Sequence, residues 1–302
     1  MPMTVQEVKK LKGSSLRVFH FAALTLLTAA CSNATFSPSG TVATPATSGG
    51  NTQTVTPAPV VTPGPANPTC TPTSATTRMT KVLFLVDTSS SNAEWIDMST
   101  DYTCPTGHTV GCTPPTDPNK IFRKGSIQNF LNQYASKSNF QWSFVTFAND
   151  ATQDFVANNG GPSFTANPSV MQSALNSFAQ YQDNGDTPYG LALSAATQAI
   201  ANDPDRNTAA NPQYFVVLLT DGFPTDFSSP SDAAPYVNSL LAAAPNVTLS
   251  TVFYGAQGYP STASALAMLQ GMATLGNGQF ANVNNPSSGI NINSVIPGTT
   301  CP

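Results

Sequence analysis

Lys81-Val82-Leu83-Phe84-Leu85-Val86-Asp87-Thr88-Ser89-Ser90-Ser91 is the stretch on which the reading of the fold turns. Its apolar run is continuous, not alternating, and rich in β-branched and aromatic residues, the pattern of a strand buried on both faces of a parallel sheet. It stops abruptly at Asp87. A second run, Tyr214-Phe215-Val216-Val217-Leu218-Leu219, stops in the same way before Asp221-Gly222. In open α/β sheets, ligands bind in the crevice outside the carboxyl ends of the strands, so acidic residues at two such ends can share one crevice. Thr187-Pro188 joins them if its loop crosses there.

Strands and helices alternate around these runs, as a doubly wound sheet requires. Residues 120–137 read as helix, with Ile121, Ile127, Phe130, Leu131 and Tyr134 near helical spacing. Phe140 to Phe147 reads as a strand containing a core Trp142, and a short edge strand is expected near residues 154–156. Further helices are expected at 169–181, 189–201, 232–243 and 262–275, with strands at 247–254 and 279–283. The predicted fold class is α/β: a doubly wound, mostly parallel six-stranded sheet with one short antiparallel edge strand. Residues 77–302 suffice for one such domain with a sizeable core.

The order Asp87-x-Ser89-x-Ser91, then Thr187 in Gly185-Asp186-Thr187-Pro188, then Asp221-Gly222 resembles the von Willebrand factor type A domain with a metal-ion-dependent adhesion site. The resemblance implies a Rossmann-like fold and a divalent cation, Mg²⁺ in preference to Mn²⁺ or Ca²⁺. It implies ligation by the hydroxyls of Ser89, Ser91 and Thr187, with Asp87 and Asp221 acting directly or through bound water. Neutral hydroxyls and two carboxylates do not saturate such an ion. Mg²⁺ keeps water readily, so an Asp or Glu side chain of a protein partner can replace one water. The implied function is metal-dependent protein binding of the adhesion type. Plainer roles stand beside it: Ser89 or Ser91 capping a helix or shaping a loop, Thr187 as an N-cap before Pro188, and Asp221-Gly222 as a turn.

Relative to that family pattern, residues 92–119 form an insertion that leaves the sheet at the metal end. It carries Trp95, Tyr102 and His108, which with Tyr189 are expected to form a partner-binding rim; the alternative is a decorated surface loop. At the carboxyl end, residues 287–302 are short and punctuated by Gly and Pro, where family members often carry a sliding last helix. A constitutive binder is expected.

The amino terminus predicts export. Lys9, Lys10, Lys12 and Arg17 precede an apolar stretch from Val18 to Ala30 that is too short to span a bilayer, so residues 1–30 read as a signal peptide. Leu27-Thr28-Ala29-Ala30-Cys31 resembles a bacterial lipobox with Cys31 as the lipidated residue, and Ser32 after it favours the outer membrane of a Gram-negative bacterium by analogy. Ordinary cleavage near Ala30 or Ala34 is the other reading, leaving a soluble secreted protein. Residues 31–76 are a Thr-, Pro- and Ser-rich tract that cannot bury enough apolar surface to fold. As a tether it would reach on the order of 100 Å when extended.

Cysteine count agrees with export: with Cys31 lipidated, Cys70, Cys104, Cys112 and Cys301 form an even remainder. Of three connectivities the favoured one joins Cys104 to Cys112 and Cys70 to Cys301. After Cys31 the chain has seven basic and fourteen acidic residues, a formal charge of −7. An acidic surface repels nucleic acid and anionic headgroups, so neither is an expected partner and membrane contact is expected only through lipid. Enzyme chemistry is not expected. A phosphohydrolase of the haloacid dehalogenase type wants a second Asp where Ser89 stands, and the only His after Cys31 is His108 in the insertion, poorly placed as a base for a Ser nucleophile. An envelope-assembly scaffold that does not use the metal is the remaining alternative.

Overall fold

The computed structural model describes residues 78–94, 96–97, 102–103, 112–255, 260–283 and 289–296. The signal segment, the tether, Cys31, Trp95, His108, the side chain of Tyr102 and both expected disulfides lie outside the described residues.

The first apolar run is β1 (Thr80–Asp87), and it sits at the centre of the sheet. It pairs in parallel with β9 (Gln213–Thr220) on one side and β5 (Phe140–Ala148) on the other, with Phe84 opposite Val217 and Phe144. β10 (Val247–Phe253) and β11 (Asn277–Asn282) extend the sheet in parallel beyond β9. β6 (Ala151–Asp154) closes the other edge, antiparallel to β5, so the order is β11-β10-β9-β1-β5-β6. This is the predicted fold class, a six-stranded, mostly parallel sheet with one short antiparallel edge.

The continuous apolar run of β1 is explained by helices on both faces. Val82, Phe84 and Val86 enter a core with Phe122, Phe130, Trp142 and Phe178, beneath α1 (Ile121–Tyr134) and α2 (Pro168–Phe178). Leu83 and Leu85 enter the opposite core with Leu193, Val237, Leu269 and Met272, beneath α3 (Tyr189–Ala201), α4 (Pro230–Ala242) and α5 (Pro260–Leu275). Removing each such side chain from water contributes about 1.5–3 kcal/mol, which offsets the ordering of the strand. Residues 289–296 add Ile290, Ile292, Val295 and Ile296 to the first core through one 3-10 turn, Ile292–Ser294.

Two local features differ from the sequence reading. The edge strand begins at Ala151, not near residue 154, because Asn149 adopts φ 50° and Ala148 pairs directly with Ala151 across a two-residue turn. Asn tolerates this left-handed conformation better than most residues, and it reverses the chain at once. The insertion contains short antiparallel strands β2 (Ile96–Asp97), β3 (Tyr102–Thr103) and β4 (Cys112–Thr113), with β2 in the middle. A second small ribbon pairs β7 (Ala157–Asn158) with β8 (Gly161–Pro162).

At the amino end of the sheet, Lys81 is 1% exposed and its Nζ lies 2.7 Å from Asp203 and 2.8 Å from Asp205. Tyr214 donates its hydroxyl to Asp203 at 2.5 Å. Removing one member of a buried ion pair leaves an uncompensated charge, at a cost of about 3–5 kcal/mol. Lys81→Met is therefore expected to lower the unfolding free energy by about that amount in urea titration. A variant as stable as the parent would show that the ammonium contributes nothing net.

Candidate metal centre

Because β1 and β9 are parallel neighbours in register, they end together at one edge of the sheet, bringing Asp87 beside Thr220 and Asp221. Asp87 is fully buried: its Oδ1 accepts from the Ser89 amide at 2.8 Å and its Oδ2 from the Thr220 hydroxyl at 2.6 Å. The chain then turns through a single 3-10 turn, Ser90–Asn92, with Ser89 at its N-cap. The Ser89 side chain makes no cap bond, so the plain capping role does not hold for it. Its hydroxyl lies 3.1 Å from that of Ser91, and Ser91 donates to Asp221 Oδ1 at 2.8 Å.

The Thr187 loop is stitched to the same turn. Ser90 donates its amide to the Gly185 carbonyl at 3.0 Å, and Gly185 returns its amide to the Ser90 hydroxyl at 2.6 Å. Gly185 has φ +78°, a region open to glycine at little cost. A Cβ on Gly222 would stand 3.8 Å from the Thr187 hydroxyl and 3.9 Å from the Ser91 hydroxyl, so both border the same bare backbone. Asp87, Ser89, Ser91, Thr187 and Asp221 thus converge on one crevice at the carboxyl end of the sheet.

Two expected roles are corrected here. Thr187 does not cap α3: Pro188 is the N-cap, and the Tyr189 and Gly190 amides donate to Asp226 at 3.1 and 2.7 Å. Tyr189 is not a rim residue. It is 0% exposed and donates its hydroxyl to the Gly222 carbonyl at 2.7 Å, because the first turn of α3 packs beneath the Asp221 loop.

Behind the crevice, the fully buried Arg123 guanidinium donates to the Asp87 carbonyl at 2.7 Å, to Asp117 at 3.0 Å and to Asp183 at 2.9 and 3.0 Å. Lys120 adds a bond to Asp183 at 2.9 Å. These cations satisfy Asp117 and Asp183, while among the described residues neither Asp87 nor Asp221 takes part in an ion pair. Burial raises the Asp87 carboxyl, and burial followed by the charge of Asp87 pushes Asp221 up to about 7. Burial disfavours the charged form of each carboxylate, and for Asp221 the neighbouring charge of Asp87 adds to it.

The donor set fits a small hard cation. Adjacent ligands of an octahedral ion at about 2.0–2.1 Å stand about 2.9 Å apart. The Ser89–Ser91 and Ser91–Asp221 separations of 3.1 and 2.8 Å bracket that spacing. Among the described residues no group of three or more His, Cys, Asp or Glu is arranged to hold a metal; the candidate donors here are two carboxylates and three hydroxyls.

Several residues of this site escaped sequence reasoning. Thr220 adjoins Asp221 and could have been found from its place at the strand end. Asn92 donates to Asp221 at 3.3 Å and accepts from the Tyr254 hydroxyl at 2.8 Å, and Thr116 donates its hydroxyl to Asp221 Oδ2. No local signal marks Thr116 or Tyr254.

The family model for the von Willebrand factor type A domain matches residues 119–291, more than half of the chain, and the chain belongs to that family. The matched segment contains Thr187 and Asp221 and begins at the last residue of the insertion. Members of the family are often protein-interaction modules. No curated protein matches the chain. Similar solved structures include the SpRpn10 VWA domain, at 12% identity and TM-score 0.49 over 74% of this chain and 99% of that one. Proximal thread matrix protein 1 from the mussel byssus is 18% identical with TM-score 0.44, over 70% of this chain and 43% of its own. The PilB minor pilin from Streptococcus sanguinis is 12% identical with TM-score 0.48, over 70% of this chain and 58% of its own.

Since Arg123 serves Asp117, Asp183 and the Asp87 carbonyl at once, Arg123→Met is expected to cost about 3–5 kcal/mol. Chemical denaturation followed by circular dichroism would read it. A loss within about 0.5 kcal/mol, the usual range for surface changes, would contradict a structural role.

Proposed function

We propose that this domain is a divalent-cation-dependent protein-binding module. Mg²⁺ is its favoured ion, and an Asp or Glu side chain of a partner protein completes the coordination. The observation that carries the reading is the convergence of two buried carboxylates outside any ion pair with the Ser89, Ser91 and Thr187 hydroxyls, the Ser89 and Ser91 oxygens 3.1 Å apart and Ser91 2.8 Å from Asp221 Oδ1. Asp87, Ser89, Ser91, Thr187 and Asp221 would hold the ion. When bound it would supply positive charge to Asp87 and Asp221 and an open position for an external carboxylate. Where Asp87 or Asp221 acts through bound water, that water would fill its position.

The amino-terminal sequence supports a place outside the cytoplasm. We read Cys31 as a lipid anchor in an outer membrane and the rest of the tract to residue 76 as the tether that holds the domain away from it. Among the described residues, no helix is long and apolar enough to cross a membrane.

Calorimetric titration of Mg²⁺, Mn²⁺ and Ca²⁺ into the protein tests the reading, beside Asp87→Ala and Ser89→Ala. Saturable one-site binding is expected for the parent, weakened at least about tenfold in both variants by loss of ligands. A folded parent protein that takes up none of the three ions would sink the proposal.

A further inference from the structure

Thr116 lies near the end of the insertion, and the structure holds it from both sides. Its amide donates to the Ser91 carbonyl at 3.2 Å, and the Asp117 amide donates to the Asn92 carbonyl at 3.1 Å, so the returning chain is pinned along the serine turn. Asp117 in turn accepts from the Phe122 and Arg123 amides at the start of α1, each at 3.0 Å, and from the Arg123 guanidinium. The Thr116 hydroxyl is thereby aimed at Asp221 Oδ2, with the Ser91 carbonyl at 3.3 Å as its other acceptor. Meanwhile Asp221 Oδ1 accepts from Ser91 and Asn92. The two oxygens of one carboxylate are divided: Oδ1 belongs to the serine side of the crevice, and Oδ2 is occupied by Thr116.

We infer that Thr116 is a positioning residue that sets cation choice, by holding Asp221 Oδ2 so that Oδ1, the oxygen on the serine side, is the one presented to the ion; the inference rests on the cation-binding reading above. Mg²⁺ takes six ligands in a near-octahedral shell at about 2.0–2.1 Å, whereas Ca²⁺ takes 6–8 at about 2.3–2.6 Å and accepts both oxygens of one carboxylate. A carboxylate with one oxygen held by a half-buried hydroxyl suits the smaller ion. Released from Thr116, Asp221 can turn and offer both oxygens, which favours the larger one.

The test titrates Mg²⁺ and Ca²⁺ separately into the parent protein, Thr116→Val and Thr116→Ser, each with thermal melts in the presence and absence of ion. Thr116→Val is expected to lose about 10–100-fold in Mg²⁺ affinity and much less in Ca²⁺ affinity, so that the ratio of the two falls at least about tenfold. Thr116→Ser, which keeps the hydroxyl, is expected to retain the parent ratio. An unchanged ratio in Thr116→Val, or a Thr116→Ser protein as altered as the valine variant, would overturn the inference while leaving the cation reading intact. A parent protein that binds neither ion removes both at once. Should the valine variant not fold, Thr116→Ala makes the same comparison.

Discussion

Two carboxylates, Asp87 and Asp221, end adjacent parallel strands about 4.8 Å apart and are buried together, so each disfavours the charge of its neighbour. Much of the surrounding structure can be understood as an answer to that repulsion. Asp87 receives an amide and a hydroxyl; Asp221 receives the Ser91 and Thr116 hydroxyls and the Asn92 amide nitrogen. These are neutral donors throughout. The nearest guanidinium, Arg123, spends its bonds on the Asp87 carbonyl and on Asp117 and Asp183. Neutral donors orient carboxylates without cancelling their charge, which is the feature on which the proposed cation binding rests.

The support for the crevice is drawn from distant parts of the chain. Ser91 meets Asp221 across 130 positions of sequence and Tyr254 meets Asn92 across 162. Such contacts cannot form before the sheet does, so the geometry of the site and the packing of the domain are one problem. Arg123 makes the dependence concrete: a single buried side chain serves the end of β1, the insertion through Asp117 and the loop before Thr187 through Asp183.

The fold was legible because buried parallel strands leave an unmistakable trace. Val82–Val86 and Phe215–Leu219 are apolar at every position, and only a sheet covered on both faces asks for that. The helices were legible from spacing, with α3 (Tyr189–Ala201) read to the residue because Pro188 precedes it and Asn202 follows. The edge strand was misplaced because Asn149 takes a left-handed conformation that composition does not announce. The convergence of Asp87, Ser89, Ser91, Thr187 and Asp221 was legible from order and from the rule for strand ends. Thr116 was not, since its role comes from where an insertion returns, and nothing local distinguishes it from Thr109 or Thr113. Tyr189 was misjudged because an aromatic residue after a loop Thr looks exposed until the packing of its helix is known.

A consequence follows from the charged residue that opens β1. A strand that is apolar on both faces has no hydrophobic pattern to tell one register from the next, because a slip of one position exchanges one buried set for another. Lys81 and Asp87 point to the same face, six positions apart, at opposite ends of that strand. Lys81 is paired to Asp203 and Asp205, and Asp87 to the Thr220 hydroxyl. A shift of β1 by one residue would turn both charges into the aromatic core of Phe130, Trp142 and Phe144. The ion pair at the far end of the sheet therefore acts as the alignment mark that keeps Asp87 level with Thr220 and beside Asp221.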